Sequence, residues 1–245
     1  PDVVMSKDGV LICSHDLTAD GTSDVAERFP GRTRPDGRHY LADLTLAEIK
    51  QLSKRGRGDR EPEGDAFRGY PFATLDEMIQ LVQTLNAPTG RRVGIIPEPK
   101  SPKFHRENGM PIEEPLVRAL AAHGYIDHES PAIIQCFDID ALRRIRFELG
   151  CRLRLAYTCG EPLDELALAD AATFVDAIGP NRKLIEPGQG RTAPAVDVLE
   201  FAREHGLETY PWTFDDEPDA VRRFSRVYRV TGMFINFPDI GVRER

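Results

Sequence analysis

Apolar and polar positions alternate in two registers along most of this chain. From about residue 70 onward, short β-branched apolar runs alternate with stretches of helical periodicity. Arg92-Val93-Gly94-Ile95-Ile96-Pro97-Glu98 reads as a buried strand, and Pro115 to His123 puts Leu116, Val117, Leu120 and Ala121 on one helical face. Ala132 to Phe137 is the next strand. Asp138 to Leu149 follows as a helix, with Leu142, Ile145 and Leu149 at helical spacing and Gly150 just past its end. The alternation continues through strand Leu153–Tyr157, helix Pro162–Ala171, strand Phe174–Gly179 and helix Ala195–His205 closed by Gly206. It ends with strand Leu207–Trp212, helix Asp219–Tyr228 and strand Gly232–Asn236. Upstream, Asp2 to Ser6 reads as the end of a strand, and Gly9 to Cys13 is a further apolar run.

A serial β-α alternation implies a parallel sheet covered by helices. The sheet is either open and doubly wound or closed into a barrel. No GxGxxG or GxxxxGK[ST] motif follows any strand, which removes the main sign of a nucleotide-binding open sheet. Polar residues stand instead at the carboxyl ends of the runs: Glu98, Gln135, Tyr157, Asn181, Trp212 and Asn236. Barrel enzymes build their sites there. The expected fold is therefore α/β, a TIM (β/α)8 barrel whose first strand-helix unit would precede Pro1. Residues 1–17 and 73–245 form the barrel domain in this reading. Residues 18–72 form an insertion after the second strand, rich in Gly, Pro, Arg and Asp, with only Leu46 to Leu52 helical. Disorder is the alternative for Ser53 to Asp65.

Composition narrows the function. The chain has 245 residues, 40% hydrophobic and 29% charged, as in ordinary globular proteins. With 32 basic and 40 acidic residues the formal charge is -8, which argues against bulk-charge binding of nucleic acid. No stretch approaches about 18 uninterrupted apolar residues, so no transmembrane segment is expected. Cys13, Cys136, Cys151 and Cys159 show neither CxxC spacing nor the density of a disulfide scaffold, and read as small apolar side chains.

Candidate chemistry sits at the run ends. Ser14-His15-Asp16 places an imidazole beside a carboxylate, a pairing suited to general acid/base work near neutral pH. A surface histidine at a turn fits the same local sequence. In Pro97-Glu98-Pro99-Lys100, a carboxylate and an ammonium two residues apart share one side of an extended chain. Glu98 could ligate a hard cation while Lys100 contacts an anionic oxygen, or the two could form a surface ion pair. Asp2 is another oxygen ligand. Asp2, His15, Glu98 and Lys100 together describe a site for a metal-bound phosphate ester, with hard oxygen donors favouring Mg²⁺ or Ca²⁺ over zinc. His123 and His205 each precede a glycine at a helix end, where a cation complements the helix dipole, so a structural role is expected.

These residues, in this order, resemble the glycerophosphodiester phosphodiesterase family. The resemblance is carried by Asp2-Val3-Val4-Met5-Ser6-Lys7-Asp8-Gly9, Ser14-His15-Asp16 and Pro97-Glu98-Pro99-Lys100. Thr22 to Pro30, Asp36-Gly37-Arg38-His39-Tyr40, Gln135-Cys136-Phe137-Asp138, Ala177 to Asn181, Leu184-Ile185-Glu186 and Phe234 to Asp239 are similar to the periplasmic branch. The resemblance implies a β/α barrel with a small insertion after the second strand. It implies hydrolysis of glycerophosphodiesters, such as glycerophosphocholine and glycerophosphoethanolamine, to sn-glycerol 3-phosphate and an alcohol. It also implies one divalent cation, Ca²⁺ in preference to Mg²⁺. Asp2 and Glu98 match metal ligands, His15 matches the second of two catalytic histidines, and Lys100 matches a phosphate-contacting lysine. Gln135, Trp212 and Phe234 match pocket-lining positions, Trp212 standing where the branch often has another aromatic. The family's first metal-binding Glu and its His-Arg-Gly histidine would fall before Pro1.

The resemblance further implies a small-molecule phosphodiester as partner and a periplasmic or cell-surface location; it leaves the oligomeric state open. Two other readings compete. A lysophospholipase D or phospholipase C-like barrel would expose an apolar rim, whereas the insertion carries Arg55, Arg57, Asp59, Arg60, Glu61 and Glu63. A non-catalytic, anion-binding barrel is the other.

Overall fold

The computed structural model describes residues 1–55, 69–186 and 196–244 and divides the chain into two compact units. Pro1–Ala132 with Leu149–Cys151 form the first, and Ile133–Glu148 with Arg152–Arg245 the second.

The first unit is built on a hairpin. Strands β1 (Asp2–Met5) and β2 (Leu11–Cys13) pair antiparallel, Val3 opposite Cys13. The expectation of parallel strands throughout fails here. The Ser6–Val10 link is far shorter than the dozen residues a parallel crossover requires. Gly9, at φ +81, makes the turn, closed by Gly9 N–H on the Ser6 carbonyl at 3.0 Å. Strand β3 (Glu98–Pro99) lies parallel on the other edge of β1, with Asp2 opposite Glu98, giving the order β2-β1-β3. The strand expected over 92–98 is thus mostly absent. Asn86 takes both the N–H and the C=O of Val93 with its own side chain, at 3.1 and 3.0 Å. Pro97 and Pro99 have no N–H to give a ladder. Only Ile95 bridges, to Ala132. Beside it Gly94 is obligatory, because a Cβ there would meet the Pro131 carbonyl oxygen at 2.6 Å.

Helix Leu75–Thr89 carries the chain back, opened by a reciprocal cap between Thr74 and Glu77. The helix expected over 115–123 is Glu113–Ala122, burying Leu116 and Leu120. The described part of the insertion has a core of its own, shared with the hairpin. Ala19, Val25, Leu41, Leu44, Ile49, Leu52 and Phe72 pack on Val4 and Ile12. Polar clasps replace regular elements. Asp24 accepts from the Ser53 N–H at 2.8 Å, and buried His39 sits between Asp20 (2.6 Å) and the Phe29 carbonyl (3.0 Å). Arg57, Asp59, Arg60, Glu61, Glu63 and most of the Ser53–Asp65 stretch lie outside the described residues.

The second unit follows the periodicity. Strands β4 (Ile133–Cys136), β5 (Arg154–Cys159), β6 (Ala177–Pro180) and β7 (Glu208–Thr209) pair parallel in sequence order. Single bridges Asn181–Trp212 and Phe214–Ile235 extend the pattern. Helices Ile139–Arg143, Glu165–Ala172, Val198–Glu204 and Pro218–Arg226 alternate with the strands. Three begin on an aspartate cap, Asp138, Asp164 and Asp197, each accepting from backbone N–H groups of the first turn. Past Arg143 the first of them widens into a π-type turn over Arg144–Glu148. Tyr157, expected at a site-facing strand end, packs instead with Cys159, Leu168 and Ile178 under the helices. Its place on β5 is one residue out of step with the opposite face, and strand side chains alternate. All four cysteines are thiols, and Cys136, Cys151 and Cys159 are buried.

Candidate active site

The first unit brings four expected residues to one end of its sheet, where Asp2 and Glu98 open β1 and β3, rather than closing strands as expected, and His15 follows the end of β2. Asp2 and Glu98 are register partners across β1 and β3, and the Glu98 N–H donates to the Pro1 carbonyl at 2.9 Å. Lys100 follows on the same strand side, its N–H on the Val3 carbonyl at 2.9 Å and its Nζ 2.7 Å from Glu98 Oε1. Both side chains are largely buried, Glu98 at 7% and Lys100 at 16% exposure. A buried ion pair costs desolvation that the attraction must offset. Burial pushes the Glu98 carboxyl above its usual range. Lys100 pulls it back, and the neighbouring Asp2 carboxyl, hydrogen-bonded to it, pushes it up again.

His15 lies just past the end of β2, where the Ser14 N–H donates to the Asp2 carbonyl at 2.9 Å. That bond ties the histidine-bearing turn to the strand end that carries Asp2. The imidazole is half exposed, and its Nδ1 is 2.9 Å from Asp16 Oδ1. A carboxylate can only accept, so Nδ1 holds the proton and Nε2 is the basic nitrogen. Ser14 Oγ donates to the Asp16 carbonyl at 2.8 Å and fixes the turn.

Gln135, Trp212 and Phe234 belong to the second unit. Gln135 is buried on β4. The Trp212 indole N–H donates to the Gly179 carbonyl at 2.7 Å, and its ring meets Phe137 edge-on, centroids 5.3 Å apart. Phe234 is half-buried, its N–H on the Pro211 carbonyl at 3.0 Å, one residue from Trp212. Phe137 was not among the expected site residues. Its signal was the alternation along Gln135-Cys136-Phe137, which puts it on the same side as Gln135. Two other histidines are engaged elsewhere. His123 Nε2 pairs with Asp76 at 2.8 Å, and His205 stacks on Phe201 at 3.9 Å while its Nδ1 bonds the Phe201 carbonyl.

Asp2 and buried Glu98 are adjacent hard oxygen donors, a set whose chemistry fits a divalent cation. Among the described residues, no group of three or more His, Cys, Asp and Glu side chains converges on a metal position. The chemistry available is therefore a buried carboxyl on Glu98 beside the half-buried Asp2, one ammonium next to Glu98 and an oriented imidazole at the neighbouring strand end.

The chain matches the glycerophosphoryl diester phosphodiesterase family over residues 1–240. It is 31% identical to the glycerophosphodiester phosphodiesterase of Haemophilus influenzae over 98% of this chain and 79% of that protein. Identity to the Treponema pallidum enzyme of that name is 29%, over 99% of this chain and 82% of the other. Among solved structures, a glycerophosphoryl diester phosphodiesterase from Silicibacter pomeroyi superposes with a TM-score of 0.73 at 20% identity, covering 99% of this chain and 81% of that one. An Oleispira antarctica phosphodiesterase, solved with the product sn-glycerol-3-phosphate, gives 0.70 at 18% identity, over 99% and 82%. The structural likenesses establish the α/β barrel class as the shared fold. On the match across nearly its whole length, this chain belongs to the glycerophosphoryl diester phosphodiesterase family and is an enzyme of the phosphodiester hydrolase class.

Proposed function

We propose that this enzyme cleaves small soluble glycerophosphodiesters, such as glycerophosphocholine and glycerophosphoethanolamine, to sn-glycerol 3-phosphate and an alcohol, with His15 as an acid/base group. The observation that carries this reading is the grouping of Asp2, Glu98 and Lys100 beside the His15 turn. The product bound to the Oleispira relative is of the kind this reading requires.

Lys100 places a fixed positive charge where a phosphate's non-bridging oxygens gain charge as the fifth bond to phosphorus forms. Holding that charge in a buried setting makes its attraction stronger than in water. His15 Nε2 takes or gives a proton at the attacking or leaving oxygen, and Asp16 keeps its ring in the tautomer that allows it. Asp2 and Glu98 are the residues that would hold a divalent cation, Ca²⁺ in preference to Mg²⁺. Such an ion, when bound, supplies charge neutralisation and orientation of the phosphate. Trp212, Phe137, Gln135 and Phe234 are assigned to binding the diester rather than to bond cleavage.

The test is release of glycerol 3-phosphate from glycerophosphocholine, read by a coupled dehydrogenase, with and without chelator and with Ca²⁺ or Mg²⁺ restored. Turnover that chelation abolishes and Ca²⁺ restores supports the reading. Turnover indifferent to chelator removes the cation from it, and faster cleavage of lysophosphatidylcholine than of glycerophosphocholine overturns the substrate class.

A further inference from the structure

We propose that the insertion positions Lys100, acting through the stack of Tyr40 on Phe104. The proposal rests on the reading of Lys100 as the phosphate contact, and it assigns the insertion a part in the reaction.

The chain leaves Lys100 through Ser101, which holds φ +46 and ψ +58. A non-glycine residue in this left-handed region persists where its surroundings over-determine it. Ser101 turns the backbone into helix Pro102–Glu107, six residues long and too short to hold itself by its own hydrogen bonds. Contacts with the rest of the unit must therefore fix both the helix and the turn. Pro102 and His105 are buried beneath it. On its other side the Phe104 ring stacks on Tyr40, centroids 5.3 Å apart and planes 15° from parallel.

Tyr40 comes from the insertion and is held there from three directions. Its hydroxyl donates to Asp36 at 2.8 Å. The Arg34 guanidinium lies 4.3 Å over its ring and 5.2 Å from that of Phe104. Asp43 grips that guanidinium with both oxygens, at 2.7 and 2.8 Å. Next along the chain, the Leu41 N–H is tied to the Leu17 carbonyl at 3.0 Å. A continuous run of contacts thus leads from the insertion's core through Tyr40 and Phe104 to the helix, to Ser101 and to Lys100. The Val3 anchor and the Glu98 ion pair hold Lys100 from the strand side, and the stack holds the chain on its other side, at the Ser101 turn and the helix that follows.

The experiment compares Tyr40→Ala, Phe104→Ala, the double variant, Tyr40→Phe and the milder Arg34→Gln, alone and in a Lys100→Ala background. Two readouts are taken on the full chain: kcat and KM for glycerophosphocholine, and the rate at which an anhydride acylates Lys100, followed by peptide mass spectrometry. Each alanine variant is expected to lose about tenfold in kcat/KM, and the double variant no more than either single one, because one contact is removed once. Arg34→Gln is expected to lose about two- to threefold, and Tyr40→Phe to behave as the parent. In the Lys100→Ala background none of them lowers activity further, whereas general damage to the fold would. Lys100 acylates several-fold faster in both alanine variants. Alanine variants that melt as the parent does and keep its activity and its Lys100 acylation rate overturn the proposal. So does an equal loss in the Lys100→Ala background. If Lys100→Ala itself retains full turnover, the phosphate-contact reading fails, and the acylation rates still decide whether the stack holds the lysine in place.

Discussion

The two units of this enzyme use opposite means to hold their residues. The second repeats one motif, strand then helix, with three of its helices capped by aspartate. The first has a three-stranded sheet, one antiparallel hairpin and an insertion held by side-chain clasps, and it carries Asp2, His15, Glu98 and Lys100. A regular β/α repeat places side chains at fixed intervals on alternate faces. In the first unit the two carboxylates, the ammonium and the imidazole meet at one end of a sheet that includes an antiparallel hairpin. Under the proposed function, bond cleavage would draw on residues of the first unit, and the aromatic residues of the second, Trp212 and Phe137, would serve binding only.

His15→Ala tests the first half most severely, with an expected fall in turnover of about 10²-fold or more. Steady-state kinetics on purified protein checks it, and near-normal turnover removes the acid/base role from His15. Lys100→Ala comes next, at about ten- to a hundredfold in kcat/KM. It strips the counter-charge from a carboxyl that burial already pushes up, so the Glu98 carboxyl should take up a proton more readily in that variant. Infrared difference spectra of the carboxyl band across a pH series would show it.

The second half is broken or sharpened by Trp212→Ala and Phe137→Ala. Removing an aromatic face at a partly exposed site changes affinity for a cationic headgroup by roughly 0.5–1 kcal/mol, or a few-fold. KM for glycerophosphocholine should rise by that factor with kcat little changed. A large fall in kcat would mean that the second unit takes part in the chemical step and the division between units is wrong.

Stability gives a further contrast. His39→Ala leaves the Phe29 carbonyl without its buried donor, while Asp20 keeps the backbone N–H of residue 39, at a cost of about 1–3 kcal/mol in a denaturant titration. Acid should also find the first unit first. His105 is fully buried there, and burial lowers its pKa from 6.5 to about 4. The unfolded chain therefore binds the extra proton before the folded one does. The stability contributed by neutral His105 is complete above about 6.5 and is lost as pH falls toward 4. Thermal melts across that window check the sign, and His105→Gln should flatten the dependence.

The same contrast explains what could be read from the chain. In the second unit Leu142, Ile145, Leu168, Phe174 and Ile178 declare helix and strand by spacing alone, and the sheet order follows. In the first unit the candidate residues were legible as motifs, while the structure holding them was not. Asn86 spending its side chain on Val93, or Asp24 reaching Ser53, are contacts between residues with no periodic relation. Helix Leu75–Thr89, although capped, was not read as a separate element, and Arg34–Tyr40–Phe104 joins positions far apart in sequence. Tyr157 shows the limit on the other side: the apolar run suggests a strand end there, but β5 continues to Cys159, and the face Tyr157 takes depends on a register that only the folded sheet sets.

The pairing of Asp2 with Glu98 also carries a consequence in time. A ribosome delivers Asp2 first, then must add about a hundred residues before its partner strand emerges. The antiparallel hairpin can zip early, since its contacts are local, but the parallel β1–β3 ladder has to close a long loop, which is slow. The carboxylate pair therefore assembles late in the first unit, and a chain stalled before β3 would hold one member of the pair without the other.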